Sequence, residues 1–232
     1  MKIEIDRRKK YMIVLDSETA PLDSELNKVN PYNMVVYDLG FAVVDKKGNV
    51  YETHSYINSD IFIDEFKLMR SAYYSNKIPR YIVDLANGTR QLKNWWEIRN
   101  NLMDAIKRYN VTEIYAHNMR FDYGSVTNTQ RWLTKSKYRY YFPKNLVICD
   151  TLKMARQVLG KMPSYRRFCI KNGYMTKNNQ CKYTAEVIYR FITKDTNFSE
   201  SHTGLEDVLI EKDILAYILK QHKKCERRLW TN

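Results

Sequence analysis

The sequence predicts an α/β fold: a mixed β-sheet of about five strands, the first three antiparallel, flanked by α-helices. Three observations predict it. Strand-like apolar runs come first, helical and strand-like segments then alternate, and no repeat or break in composition marks a second unit. The 232 residues are accordingly read as a single domain with its core over about residues 11–220.

The elements follow in order. Residues 11–15 form an apolar run ending at Asp16 and read as a buried strand. A polar stretch over 21–31 separates it from a second strand over 34–44. The turn cluster Asp45-Lys46-Lys47-Gly48-Asn49 folds the chain into a third strand over 50–57, paired as a hairpin. Helices are expected over 62–74 and 95–109, the latter with Trp95, Ile98, Leu102, Ala105, Ile106 and Tyr109 on one stripe. A fourth strand over 113–116 leads through His117 to Tyr123 into a helix, and a fifth covers 146–149. Thr151 is expected to cap a helix running to Leu159, which Gly160 and Pro163 stop. Helices over 184–193 and 205–220 complete the order.

Composition excludes several classes of protein. With 44% apolar and 28% charged residues, 7 Gly and 5 Pro, the chain is neither disordered nor of low complexity. No apolar stretch approaches the ~20 residues that span a bilayer, and the basic N-terminus has no apolar region behind it. A soluble, cytoplasmic protein with no membrane partner is expected, in the host cytoplasm if the gene is viral. Cys149, Cys169, Cys181 and Cys225 have neither the clustering of a zinc site nor the setting of a disulfide framework, so they read as free thiols.

The charge is unevenly placed. Lys and Arg total 39 against 26 Asp and Glu, a formal +13. Residues 123–185 hold thirteen Lys and Arg against the single acid Asp150, so nearly all of the excess lies there, beside ten Tyr, Phe and Trp residues. Cations interleaved with rings suit single-stranded nucleic acid, where phosphates meet the cations and bases stack on the rings. A solvated basic surface over an aromatic core fits the same composition.

Three short motifs carry chemistry. In Asp16-Ser17-Glu18 at a strand end, the two acids project on the same side. Paired carboxylates repel unless a cation lies between them, although two solvated acids at a strand end would read alike. Asp122, in His117-Asn118-Met119-Arg120-Phe121-Asp122, sits where a strand gives way to a helix; it is either a first-turn acid or a site residue at the carboxyl edge of the sheet. In Ser201-His202-Thr203-Gly204-Leu205-Glu206-Asp207, Thr203 and Glu206 fit a capping box. That register brings His202 and Asp207 together where an apolar staple usually forms; His202 is then a capping-region surface histidine or a proton acceptor. Asp16, Glu18, Asp122 and Asp207 can together hold two divalent metals, and a neutral imidazole can take a proton from water, which is the chemistry of phosphodiester hydrolysis.

Taken in order, Asp16-Ser17-Glu18-Thr19, His117-Asn118-x-x-Phe121-Asp122 and His202-x4-Asp207 resemble the D-x-E, N-x-x-F-D and H-x4-D motifs of the DEDDh (DnaQ-like) 3′–5′ exonucleases of the ribonuclease H-like fold. The resemblance extends over about residues 11–219, and Asp150-Thr151 resembles the family's strand-end D-T pair. It implies two divalent cations, Mg²⁺ or Mn²⁺, one held by Asp16, Glu18 and Asp207 and the other by Asp16 with Asp122. It implies His202 as general base, Thr19 and its backbone neighbours as contacts to the terminal nucleotide, Asn118 as a further substrate-binding residue, and the 3′ end of a single strand as substrate, DNA favoured over RNA. The sequence departs from the family at Ala20-Pro21, where Thr-Gly is usual, and over 160–184, where Arg166 and Arg167 are expected to bind substrate. An RNA-trimming enzyme of the same family and a catalytically silent nucleic-acid-binding module are the alternatives. A separate DNA polymerase is an expected partner, and richness in Lys, Asn and Tyr suits an A+T-rich genome such as a phage's. Glu211, Asp213 and Asp23 are read as surface or supporting acids. Oligomeric state is not legible.

Overall fold

Strand β1 (Tyr11–Pro21) lies at the centre of a six-stranded sheet with β2 (Met34–Asp45), β3 (Val50–Asn58), β4 (Gln91–Lys93), β5 (Glu113–Ala116) and β6 (Val147–Asp150), in the order β4-β3-β2-β1-β5-β6. The structure is a computed structural model describing residues 5–22 and 30–230; most of the polar stretch expected over 21–31 lies outside the described residues. β1, β2 and β3 are antiparallel neighbours, while β5 and β6 run parallel to β1. Helices cover both faces, which is why Tyr11 to Leu15 are apolar without alternation.

The helices are α1 (Ser59–Phe62), α2 (Phe66–Met69), α3 (Ile78–Ala86), α4 (Trp95–Arg108), α5 (Met119–Thr134), α6 (Thr151–Leu159), α7 (Pro163–Lys171), α8 (Ala185–Thr193) and α9 (Gly204–Lys220). Ile13, Leu15, Phe41 and Val43 face α4 and α5, packing on Ile98, Leu102, Met119 and Val126. On the other face, Met12, Val14, Ala42 and Val44 pack with residues of α6, α8 and α9. Asp16 and Glu18 continue the Met12–Val14 row, so strand alternation places them on the α9 side. Among the described residues no helix is long and apolar enough to cross a membrane. All four cysteines are free, three of them buried.

Two local expectations are corrected, the 62–74 helix and the cap of α6, and three further elements join the expected order. The helix expected over 62–74 is two single turns, α1 and α2, because Asn58 caps the first by accepting from the Asp60 amide (3.2 Å) and its last turn closes at Ile63. α3 begins at Ile78 with Pro79 in its first turn, where the fixed φ suits a helix. β4 is a sixth strand, a three-residue edge parallel to Tyr56–Asn58 with two of its side chains exposed, so no apolar pattern marks it. Pro163 starts α7 as well as following α6. In addition, Asp150 rather than Thr151 caps α6, its Oδ1 accepting from Leu152 (2.9 Å) and Lys153 (3.3 Å).

The C-terminal residues run along β6. The Asp150 amide donates to the Arg227 carbonyl and the Leu229 amide to that of Ile148, both at 2.9 Å, which satisfies groups that a sheet edge leaves open.

The start of α9 rests on β2 backbone to backbone. A Cβ on Gly40 would lie 2.3 Å from the Gly204 carbonyl carbon, and one on Gly204 would lie 2.6 Å from the Gly40 nitrogen. Buried Asp38 accepts from the Gly204 amide (3.0 Å) and from Arg90 Nη1 (3.2 Å), while Arg90 Nη2 donates to Glu206 (2.6 Å). Gly40→Ala has only backbone to displace, so it is expected to destabilise the fold by about 1–3 kcal/mol or more. Urea denaturation checks this, and an unchanged midpoint would show that α9 does not sit this close.

Candidate active site

The Asp16–Glu18 part of β1, His117 just after β5, the starts of α5 and α9, α6 and the segment 176–185 enclose a cleft of about 880 Å³. Asp16, Glu18, Asp122, Asp207 and His202 all line it. One carboxylate oxygen each of Asp16, Glu18 and Asp207 lies within 4.8 Å of the others. Asp122 belongs to the same cleft but not to that cluster; its Oδ1 accepts from Ser17 Oγ (2.7 Å), the residue between the two β1 acids. Glu211, one turn beyond Asp207, is buried in the cleft wall and accepts from the His117 amide (3.0 Å), so it is a supporting acid and not a surface one.

The third motif is built differently from a capping box. Thr203 is the N-cap residue of α9, but its hydroxyl pairs with Ser201 Oγ (2.8 Å) and makes no cap bond. Asp207 Oδ2, not Glu206, accepts from the Thr203 amide (3.1 Å), because Glu206 is taken by Arg80 and Arg90. His202 is left-handed (φ 50°) and its ring stacks on Tyr74 (centroids 4.7 Å apart, 13° between planes). Lys77 Nζ donates to the carbonyls of Ser201 and His202, the latter at 2.8 Å, and lies 4.1 Å from the Tyr74 ring centroid. His202 Nδ1 is 3.8 Å from Glu200 Oε2. Sequence reasoning missed Tyr74, Lys77 and Glu200: Tyr74 and Lys77 reach His202 from more than 120 residues away, and Glu200 lies outside every motif.

Crowded acids in a poorly hydrated cleft resist ionisation. Desolvation raises Asp16 well above the ordinary carboxylate range, and Glu211, Asp122, Glu18 and Asp207 push it the same way. Glu18 is pushed up to about 9 by desolvation and then by Asp38 and Asp207, with Lys77 opposing. Desolvation raises Asp122 to about 7 against the Ser17 hydrogen bond, and Asp207 to about 7 against Lys77. His202 is lowered by desolvation and by Lys77, which favours the neutral ring. An all-oxygen donor set of this kind fits a hard divalent cation. So does Asp207 Oδ1, which is buried without a hydrogen-bond partner among the described residues.

The remaining expected residues are distributed around the cleft. Asn118, left-handed at φ 74°, and Arg166 line it. Thr19 is half-buried beyond the bulge that follows Glu18, and Arg167 is exposed on α7; neither lines the cleft. Arg156 and Lys182 also border it, so part of the basic segment faces the acids. His117, also in the lining, is a strut, its Nε2 donating to the Tyr183 carbonyl (2.7 Å).

No protein-family model and no curated protein sequence matches the chain. Solved structures do match. The chain is similar to a 3′-exonuclease seen in 3′-end-specific recognition of the histone mRNA stem-loop (TM-score 0.58, 12% identity, 97% of this chain and 69% of that one). It is similar to E. coli exonuclease I in complex with a dT13 oligonucleotide (TM-score 0.55, 14% identity, 90% and 41%). It is also similar to a moderately thermophilic exonuclease I from Methylocaldum szegediense (TM-score 0.51, 13% identity, 93% and 41%). The chain shares the fold of these exonuclease structures. The chain matches about two fifths of the length of the exonuclease I chains.

The raised carboxyls set a sign for stability against pH. Between the unfolded values near ~4 and the folded values of about 7 to about 9, the folded protein holds protons that the unfolded chain has released. Stability in chelator is therefore expected to fall as pH rises from about 5 to about 8. Thermal melts should show this fall, a shallower one in Asp207→Asn, and recovery on adding Mg²⁺ or Mn²⁺. A melting temperature that climbs with pH in chelator would contradict it.

Proposed function

We propose that this chain is a metal-dependent 3′→5′ exonuclease that hydrolyses phosphodiester bonds at the 3′ end of a single strand, DNA in preference to RNA. One observation carries the reading: Asp16, Glu18 and Asp207 converge in a cleft that also contains Asp122 and His202, on this fold. Asp16, Glu18 and Asp207 would hold one divalent cation, Mg²⁺ or Mn²⁺, and Asp16 with Asp122 a second. Bound there, the cations supply positive charge where the attacking and leaving oxygens build negative charge.

The chain's own residues account for the rest. His202 takes the proton of the attacking water, since its surroundings favour the neutral imidazole at neutral pH. Glu200 Oε2 lies 3.8 Å from Nδ1; desolvation raises its carboxyl to about 7, and in its ionised form it stabilises the imidazolium that results. Tyr74 and Lys77 hold the His202 ring and backbone, so the base is in place before substrate arrives. Asn118, in the cleft lining, orients the terminal nucleotide, and Thr19, outside the lining, acts on it through the neighbouring β1 backbone. Arg166 meets the phosphates in the cleft, and Arg167 adds to the attraction from outside it. The chain acts as one catalytic domain and would serve a polymerase carried on a separate chain.

The test is a ladder assay on 5′-labelled DNA and RNA, single-stranded and 3′-recessed, with Mg²⁺ or Mn²⁺. Wild type is expected to shorten the strand stepwise from the 3′ end, with Asp16→Ala and His202→Ala slower by about 10²- to 10⁴-fold. Arg166→Glu is expected to raise KM more than it lowers kcat and to reduce the salt slope. Tight binding without metal-dependent shortening of any substrate would instead make the chain a silent binding module. Faster shortening of RNA than of DNA would reverse the substrate preference.

A further inference from the structure

A second groove, of about 660 Å³, is formed by the first turns of α5, the loop 140–146 and the C-terminal residues along β6. We propose that it is a stacking platform for the 5′-ward continuation of the single DNA strand whose 3′ end enters the cleft; this rests on the exonuclease reading for the identity of the strand.

Three observations carry it. The first is the rings. Trp230 packs edge-on against Tyr123 (centroids 4.7 Å, 84°), and Phe142 lies nearly parallel to Tyr123 (5.7 Å, 27°). This holds Tyr123, Phe142 and Trp230 against one another, yet Trp230 remains 47% exposed; Tyr140, 53% exposed, meets the Arg131 guanidinium instead. Large rings held rigid and half in water offer faces on which bases stack without base preference.

The second is charge. Lys144 and Arg228 line the groove and no described acid does. The Arg131 guanidinium lies 4.7 Å from the Tyr140 ring centroid. The whole stretch 123–149 contains five Lys and Arg and no Asp or Glu. Protein-binding surfaces are depleted of Lys, whereas a polyanion needs cations without competing acids, so the charge favours a nucleic-acid strand over a protein.

The third is continuity. Tyr123 immediately follows Asp122, and successive helical residues diverge by ~100°. Consecutive residues of α5 thus line the cleft and the groove, and the proposal has the strand pass from one to the other around the first turn of α5.

The experiment measures affinity by fluorescence anisotropy in chelator, with labelled oligo-dT of about 4 and about 20 nucleotides, lengths chosen to fill the cleft alone or to extend beyond it. Tyr140→Ala and Trp230→Ala are each expected to weaken the longer oligonucleotide by about fivefold or more and to leave the shorter one unchanged, with Trp230→Phe retaining most of the affinity. Lys144→Gln is expected to lower the salt slope for the longer oligonucleotide by about 0.7. Tyr140 and Lys144 are surface positions, so these two variants keep the test open should Trp230→Ala fail to fold. Unchanged affinity for the longer oligonucleotide in both would overturn the proposal. So would equal weakening of the shorter one, or of a blunt duplex. The ladder assay separates this from the exonuclease reading: length-dependent loss of binding without hydrolysis by wild type keeps the platform and removes the exonuclease. Hydrolysis with length-independent binding does the reverse.

Discussion

The approach of α9 to β2 sets the geometry of everything in the cleft. Two glycines, Gly40 and Gly204, let the helix start against the strand backbone where any side chain would hold it away. Packing alone would leave the amides at a helix start unsatisfied. Asp38 takes up the Gly204 amide from beneath, and Arg90 ties that buried carboxylate to Glu206 on the helix. Removing one partner of such a buried pair typically costs about 3–5 kcal/mol, far more than an exposed pair contributes. The anchor fixes the height of α9, and with it the reach of Asp207 toward Asp16 and Glu18.

The same docking creates an electrostatic problem. Five acids, Asp16, Glu18, Asp122, Asp207 and Glu211, line one cleft, and each is displaced upward, chiefly by desolvation. Structural need does not explain the arrangement, since apolar residues at these positions would fold with less strain. Lys77 opposes the upward shifts of Glu18 and Asp207, and it is already committed to the carbonyls of Ser201 and His202. No described cation neutralises the cluster, and its all-oxygen donor set is of the kind that suits a hard divalent cation. The excess basic residues lie partly on the rim of the same cleft, at Arg156, Arg166 and Lys182.

What the sequence made legible depended on local periodicity. The period of two along β1 was enough to put Asp16 and Glu18 on one side, and the apolar stripe of α4 was sufficient to place Trp95, Ile98 and Leu102 inward. The register of α9 brought His202 and Asp207 into one cleft even though the capping box behind that reasoning does not form. Long-range bonding was hidden. β4 has no apolar pattern because it is an exposed edge, and Arg90 finds Asp38 and Glu206 from sequence separations of 52 and 116 residues. Tyr74 was absorbed into a helix that does not exist as one piece, and Glu211 carried no mark distinguishing a buried acid from a surface one on the same helix.

The central claim is that this acidic cleft is a cation site that holds protons until a cation displaces them. Calorimetric titration of Mn²⁺ into the protein near pH 7, repeated in buffers of different ionisation enthalpy, measures it directly. The account predicts binding accompanied by release of about one proton or more per site, since Glu18 lies at about 9 and Asp122 and Asp207 at about 7, with both signals lost in Asp16→Asn. Absence of Mn²⁺ binding, or binding unchanged in Asp16→Asn with no proton released, would contradict it.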